Sequence, residues 1–344
     1  MKKSLPGPKN LITDVKGILV GSAEDSKLCT GVTVLSSKKP LIAAVDVRGG
    51  GPGTKETDML KLENSIGRAD AIVLSGGSAF GLDASSEIQR LLKKDKRGYC
   101  VNGNIIPLVP SAIIFDLQPS LEYWKNDQSI WKKLANQAYK NLDLNFPLGS
   151  KGAGYGAKTS TLKGGQGSAS WIEELSDGKK YTVGAIVINN AVGNPLINKG
   201  PHFLSGHLEI EKEFGGFGSS NEKFDEVIRA KRINNSENQI NTVIGIVATD
   251  APLDRANLKR LAIMAHDGIA RSIHPSHTPM DGDTIFAVSS SLIRKENTIS
   301  KNDLTILATR ASDCIARSCN RAVYEAKSID NLKPSWQELF KRKF

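Results

Sequence analysis

The stretch that decides the fold is Ile240-Asn241-Thr242-Val243-Ile244-Gly245-Ile246-Val247-Ala248-Thr249-Asp250. It follows a polar, charged segment from about Lys212 to Gln239, which shows little periodicity and is typical of an exposed, protease-sensitive connection. A short apolar run between polar residues, without alternation, predicts a strand that is buried on both faces. We therefore expect a fully buried strand that the chain enters directly from an exposed connection.

Other strands and helices are predicted on both sides of this run. Patterns typical of β-strands recur between turn residues at Ile18–Val20, Thr30–Leu35, Pro40–Val47, Ala71–Leu74, Val183–Ile188 and Thr284–Val288. Helical patterns cover Ala79–Leu92, Trp131–Leu142, a segment from Asp250 or Pro252 to Ala270, and Asn302–Lys327. Glycine-rich loops are expected at Arg48–Thr54 and Gly152–Gly167. Because strands and helices mix without strict alternation, the order predicts an α+β fold or a layered αββα fold rather than a Rossmann sheet.

Composition narrows the class of protein. The 344 residues are 39% hydrophobic and 24% charged, which is typical of a globular chain of one large or two ordinary domains. The net charge of +10 is concentrated in short runs that fit solvated helix ends, and no nucleic-acid-reading motif accompanies them. The start of the chain lacks the apolar core of a signal peptide, and nowhere do eighteen apolar residues run together. Four cysteines without zinc spacing complete the prediction of a cytoplasmic protein that binds neither membrane nor nucleic acid.

Several motifs resemble known sites but miss a required feature. Arg48–Lys55 lacks the Gly-Lys-Ser/Thr ending of a phosphate-binding loop. Gly76–Gly81 resembles the nucleophile elbow of serine hydrolases around Ser78, but Phe80 stands where that motif needs glycine. A tight strand-to-helix turn is the favoured interpretation, although its amides are candidates for holding an oxyanion or a carboxylate. His274 and His277 flank Pro275 in a turn, which disfavours a metal site.

Two features leave a structural and a functional interpretation open. Asp281 and Asp283 stand two residues apart before a predicted strand, either as a polar turn or as a pair whose mutual repulsion raises a pKa and favours a bound ammonium group. Thr242 is either an ordinary strand residue or a nucleophile. If the Asn241–Thr242 bond were cut, Thr242 would gain an α-amine with a pKa of about 7.7–8.0, close enough to serve its own hydroxyl as general base.

Taken together, the motifs resemble the family of L-aminopeptidase/D-esterases and β-aminopeptidases, which includes the nylon-oligomer hydrolases. The resemblance spans about Thr13 to Ala326. Its motifs are Ala44–Gly50, Leu74–Ala84, Gly152–Gly156, Lys163–Gly167, Asn241-Thr242 and Asp281-Gly282-Asp283. It implies a four-layer αββα sandwich of the N-terminal-nucleophile-like, ornithine acetyltransferase-related type. It also implies a single domain, residues 1–344, that cuts itself between Asn241 and Thr242 into chains 1–241 and 242–344.

The resemblance also implies roles for individual residues. Thr242 is the nucleophile, Asn190 stabilises the oxyanion, and Asp281 and Asp283 hold an ammonium group. Relatives often carry a tyrosine at the position of Phe115 and a lysine at the position of Thr161. Lys158 and Lys163 are candidates for replacing that lysine. The candidate oxyanion or substrate contacts are Phe115, Lys158 and Lys163 together with Ser75, Gly76, Gly77 and Ser78.

These arguments predict a self-processing hydrolase that cleaves amide bonds beside a free amino group, without a metal or another cofactor. Its expected substrates are small amino-terminal amides, short or β-amino peptides, and ω-amino-acid oligomers, and its expected assembly is a homo-oligomer of processed units. The alternatives are an acyltransferase of the ornithine acetyltransferase type and a basic, non-catalytic binding protein on the same fold.

Overall fold

The computed structural model describes residues 5–123, 129–223, 225, 242–291, 299–329 and 332–341. The strands in these ranges are β1 (Ile18–Asp25), β2 (Thr30–Val47), β3 (Thr54–Lys55), β4 (Arg68–Ser75), β5 (Tyr99–Val101), β6 (Asn104–Ile106), β7 (Ser111–Ile113), β8 (Gly165–Glu174), β9 (Lys180–Asn190), β10 (Thr242–Thr249) and β11 (Thr284–Ser289). The helices are α1 (Asp83–Lys94), α2 (Ile130–Lys140), α3 (Arg255–Ser272), α4 (Lys301–Tyr324) and α5 (Trp336–Phe340). The fold is therefore a mixture of strands and helices, as the sequence predicts.

Most of these strands belong to one large sheet. Its order is β3-β7-β4-β2-β11-β10-β9-β8, with β1 paired to β2. The predicted buried strand is β10, which lies between antiparallel β9 and parallel β11. All eight of its residues are buried, so the prediction from its unbroken apolar run is confirmed.

Three apolar clusters pack on the faces of this sheet. The first is built mainly from strand residues and includes Ile18, Leu35, Ile72, Ile188, Ile246 and Phe286. A second lies between β2 and β4 on one side and the apolar faces of α1 and α2 on the other, around Trp131. A third joins β9, β10 and β11 to α3 and α4. Successive residues of β10 alternate between the first and the third cluster, since side chains of a strand point to opposite faces.

The sequence prediction misses β8, which begins inside the stretch assigned to a glycine loop. Gly165 and Gly167 are weak strand formers, but here their small size is required. A Cβ atom at Gly167 would overlap the Ser318 carbonyl of α4, and one at Gly165 would overlap the Ala322 carbonyl. The close approach of α4 therefore selects glycine in this strand.

Two further boundaries differ from the prediction. Helix α3 begins at Arg255 rather than at Asp250 or Pro252, because the Asp254 side chain accepts a hydrogen bond from the Asn257 amide and caps the helix there. The segment expected to be exposed from Lys212 is packed at its start, where Phe214 is buried and Glu213 forms an ion pair with Arg317. Most of the remaining connection, together with Asn241, lies outside the described residues. In the part of the chain that the structure describes, no helix is both long and apolar enough to cross a membrane.

Candidate active site

Thr242 and Asn190 are paired at the ends of two neighbouring strands inside the sheet. Thr242 is the first residue of β10, and Asn190 is the last residue of antiparallel β9. The register of the two strands pairs them directly. Both are buried, with only 3% of Thr242 exposed. The sheet thus brings together a hydroxyl and a carboxamide that are 52 positions apart in the sequence.

The tight loop that leads into β11 lies against the Thr242 hydroxyl. The amide of Gly282 donates a hydrogen bond to Thr242 Oγ1 at 3.2 Å. A Cβ atom at position 282 would lie 2.9 Å from Thr242 Oγ1 and 2.9 Å from the Gly51 carbonyl oxygen. Glycine therefore allows this loop to lie between the hydroxyl and the glycine-rich segment after β2.

The two aspartates beside Gly282 have different surroundings. Asp283 Oδ1 accepts the Val243 amide at 2.7 Å, and its Oδ2 accepts the His277 amide at 3.0 Å and lies 2.6 Å from His277 Nδ1. Asp281 Oδ2 accepts the Thr278 amide at 2.8 Å. Burial and the negative charge of Asp283 raise the pKa of Asp281 to about 6. Both carboxylates thus accept backbone hydrogen bonds, and a nearby cation would relieve the repulsion between them.

Asn190 is held in one orientation. Its Oδ1 accepts the Lys158 amide at 2.9 Å, and its Nδ2 donates to the Phe115 carbonyl at 3.3 Å. An N–H group must face a carbonyl oxygen, so these partners fix which end of the amide is the donor. Within the described residues, Phe115 is the one acceptor of Asn190 Nδ2, so the second N–H has no acceptor there.

The loop that contains Lys158 is held together by Lys163. This lysine is fully buried, and its ammonium donates to the carbonyls of Gly154, Ala157 and Gly164 at 3.2, 2.7 and 2.8 Å. All three of its hydrogens are thus engaged with backbone, although burial lowers its pKa to about 7. Lys158 is half-buried, and exposed Thr161 accepts a hydrogen bond from Asn194 at 2.6 Å.

The turn at Ser75–Ser78 forms as predicted, between β4 and the short 3₁₀ helix before α1. The amides of Gly76, Gly77 and Ser78 donate to the Gly31 carbonyl, to Asp116 Oδ1 and to the Ile114 carbonyl at 2.9, 2.7 and 2.9 Å. The buried Ser75 hydroxyl donates to the Gly76 carbonyl. Burial raises the pKa of Asp116 to about 7. These amides are therefore hydrogen-bonded within the protein.

Sequence reasoning misses two residues that shape the site, His277 and Asp116. The sequence indicates His277 only as a disfavoured metal partner of His274, yet it contacts Asp283. Asp116 accepts the Gly77 amide from a buried position. An aspartate directly after an apolar run is a weak signal for such a role, since this pattern is also common on surfaces. Lys163, which the sequence offers as a replacement for the missing lysine, donates its hydrogens to backbone carbonyls of its own loop.

Comparisons with known proteins show what the whole chain is similar to. The family model described as peptidase family S58 matches residues 10–335. A protein of Mycobacterium leprae described as an uncharacterized aminopeptidase is 35% identical, covering 98% of this chain and 96% of its own length. A 6-aminohexanoate-oligomer endohydrolase of Kocuria sp. is 27% identical, covering 93% of this chain and 86% of its own length.

Solved structures share the fold. The L-aminopeptidase D-Ala-esterase/amidase of Ochrobactrum anthropi, whose structure is described as a variant of the Ntn hydrolase fold, matches with a TM-score of 0.70 at 20% identity. That match covers 96% of this chain and 90% of the other. A β-aminopeptidase of Burkholderia sp. matches with a TM-score of 0.67 at 19% identity over 98% of this chain and 93% of the other.

Proposed function

The chain belongs to peptidase family S58 and is a hydrolase, and we propose that it is a self-processing aminopeptidase or amidase with Thr242 as its nucleophile. The observation that carries this proposal is the position of Thr242 at the start of β10. There it is paired with Asn190, and the loop that contains Asp281 and Asp283 contacts it. Such a group of residues contains a hydroxyl nucleophile, an oxyanion donor and an anion for an ammonium group.

We infer that the enzyme is made by one cut of its own chain. The Thr242 hydroxyl attacks the carbonyl carbon of Asn241, the amide bond becomes an ester, and water then releases chain 1–241. The new α-amine of Thr242 has a pKa of about 7.7–8.0 in its unperturbed form and takes the hydroxyl proton in later turnovers. Cutting thus converts a poor nucleophile into an activated one.

In the proposed reaction, Thr242 Oγ1 attacks the amide carbonyl of the substrate. The remaining N–H of Asn190 donates to the developing oxyanion, and Asp281 holds the ammonium of the substrate or of Thr242. The Thr242 ammonium returns its proton to the leaving amine, and water then hydrolyses the acyl ester. An amine in place of water would give acyl transfer instead.

The proposed substrates carry a free amino group near the scissile amide. Small amino-terminal amides, short or β-amino peptides and ω-amino-acid oligomers all fit a site whose Asp281 favours a cation. The names of the relatives support amide substrates of this kind. A homo-oligomer of processed units in the cytoplasm belongs to the same proposal.

We also propose that the fold is the four-layer αββα sandwich related to ornithine acetyltransferases. Its support is the set of three apolar clusters, one mainly between strands and two between strands and helix pairs. An αββα sandwich has three apolar layers. One lies between its two sheet layers, and one lies between each sheet layer and the helices that cover it.

The test uses the purified protein and pairs of substrates that differ only in an acetyl group on the amine. We expect hydrolysis of an amino-acid amide, a β-dipeptide or a 6-aminohexanoate dimer, and at least about tenfold slower hydrolysis of the N-acetylated partner, because the ammonium contact is lost. Equal rates would contradict the proposed role of the aspartates. Adding an amino-acid acceptor separates the classes, since a dominant transfer product would indicate an acyltransferase.

A further inference from the structure

We propose that His277 is a positioning residue that fixes Asp283, and through Asp283 the first peptide unit of β10, so that Thr242 stays aligned with Asn190. This inference rests on the proposed role of Thr242. It adds a residue that the predicted site does not include.

His277 makes two contacts with one carboxylate oxygen. Its amide donates to Asp283 Oδ2 at 3.0 Å, and its Nδ1 lies 2.6 Å from the same atom. A carboxylate oxygen only accepts, so Nδ1 carries the proton. The backbone of His277 is left-handed, with a φ of 55°, which is uncommon for a residue with a side chain. This conformation brings the amide and the ring to the same oxygen.

The other oxygen of Asp283 extends the contact to the nucleophile. Asp283 Oδ1 accepts the amide of Val243, the residue that follows Thr242, at 2.7 Å. Only 1% of the Asp283 side chain is exposed, so its position depends on these donors rather than on water. A chain of contacts therefore runs from His277 through Asp283 to the start of β10.

The same contacts divide the acidic pair into two roles. Asp283 accepts donors on both oxygens and serves as a fixed anion. Asp281 lies next to that anion, and burial together with the negative charge of Asp283 raises the pKa of Asp281. A ligand cation beside Asp281 would relieve this repulsion, provided that His277 keeps Asp283 in place.

A second histidine supports the ring of His277. The His266 ring packs edge-on against it at 4.9 Å between ring centres, and His266 Nε2 donates to the Asp46 carbonyl at 3.0 Å. Burial lowers the pKa of His266 to about 4, which keeps it neutral at pH 7. The other charged groups near this support are the Asp46 carboxylate and its partners Lys259 and Arg48. The His277 ring is thus held between Asp283 and His266.

The experiment compares two substitutions in the full chain. His277→Gly removes the ring but keeps the amide donor and suits the left-handed backbone. His277→Asn removes the ring but supplies a side-chain N–H and also tolerates this backbone. The control is His207→Asn, since His207 is exposed and lies in a different part of the fold. Each variant is measured for the rate of cutting at Thr242, for kcat and KM on an amino-acid amide across pH, and for melting temperature.

We expect His277→Gly to lower kcat and the rate of self-cutting about 10- to 100-fold, with KM changed less than about threefold, because a hydrogen bond to a buried charge is lost. The acid limb of the kcat profile should move to higher pH, because without the ring donor the negative charge of Asp283 is less compensated and raises the pKa of Asp281 further. His277→Asn should recover most of the loss, and His207→Asn should match the wild type.

Two results would overturn the inference while leaving the proposed function intact. One is a wild-type protein that cuts itself and hydrolyses amides, with a glycine variant that does both equally well and has the same pH profile. The other is a loss that parallels a lower melting temperature and is not recovered by asparagine, which would assign His277 a role in folding only. A wild-type chain that is never cut at Thr242 overturns both proposals.

Discussion

Two strand ends in this molecule place a hydroxyl residue near a buried carboxylate, and they differ in what is left to bind a ligand. At the end of β4, Asp116 accepts the Gly77 amide at 2.7 Å, and at the start of β10, Asp283 accepts the Val243 amide at 2.7 Å. In the first turn the neighbouring amides already have acceptors within the protein. At β10, Asn190 keeps a donor and Asp281 favours a cation. Among the residues that the structure describes, the buried atom without a hydrogen-bond partner at β4 is an acceptor, Asp116 Oδ2, whereas Asn190 at β10 keeps an N–H donor. An oxyanion needs a donor, which is why we propose the reactive site at β10.

The largest difference in activity is expected between variants that remove the Thr242 hydroxyl and the Ser78 hydroxyl. Thr242→Ala should abolish self-cutting and lower amide hydrolysis more than about 1,000-fold, because the nucleophile is gone. Ser78→Ala should retain at least a third of the wild-type kcat/KM. Comparable losses in the two variants would remove the distinction between the two sites.

The next effect concerns the oxyanion donor. Asn190→Asp keeps the size of the side chain and the acceptor for the Lys158 amide, but replaces the donor with an anion. We expect kcat to fall about 100- to 1,000-fold, the loss typical of removing an oxyanion-hole donor. Steady-state kinetics on an amino-acid amide measure it. A change confined to KM would indicate that Asn190 binds substrate without stabilising the transition state.

The acidic pair predicts a pH-dependent stability of the uncut chain. Burial and the Asp283 charge raise the pKa of Asp281 to about 6, above the value of about 3.9 in an unfolded chain. Between these values the folded state binds a proton that the unfolded state has released. The contribution of Asp281 to the free energy of unfolding should therefore be most favourable below about pH 4. It should fall by up to about 2–3 kcal/mol as the pH rises through 6.

Urea unfolding of the Thr242→Ala chain with and without Asp281→Asn measures this difference, since no new ammonium forms in that background. The asparagine variant should gain stability relative to its parent as the pH rises from 4 to 7. A pH-independent difference would show that Asp281 is not destabilised by its charged neighbour.

The smallest effect should come from one added methyl group. Gly282→Ala puts a Cβ atom 2.9 Å from Thr242 Oγ1, so the loop must shift and the hydroxyl moves from its place. We expect kcat to fall about tenfold, as small displacements of reacting groups do. Gly51→Ala is the matched control, because its nearest atoms would be 3.8 Å away. If both variants were equally active, the close approach of Gly282 would have no functional importance.

The sequence predicts those parts of the fold and site that depend on local pattern. The apolar run of β10 predicts a buried strand, and the start of that run marks Thr242. The family resemblance also indicates Asn190 and the two aspartates, which the structure brings together around Thr242. In contrast, β8 is missed because Gly165 and Gly167 are selected by the closeness of α4, which no local pattern reveals. His277 is a similar case, since its contact with Asp283 depends on how the chain turns between them.

The most direct test of the central claim is the intact mass of the purified wild-type protein, with amino-terminal sequencing of each component. The account predicts two chains that copurify, corresponding to residues 1–241 and 242–344, with Thr242 as the first residue of the smaller one, and a single chain for Thr242→Ala. A wild-type protein that stays one 37.1 kDa chain while it hydrolyses amides would contradict it.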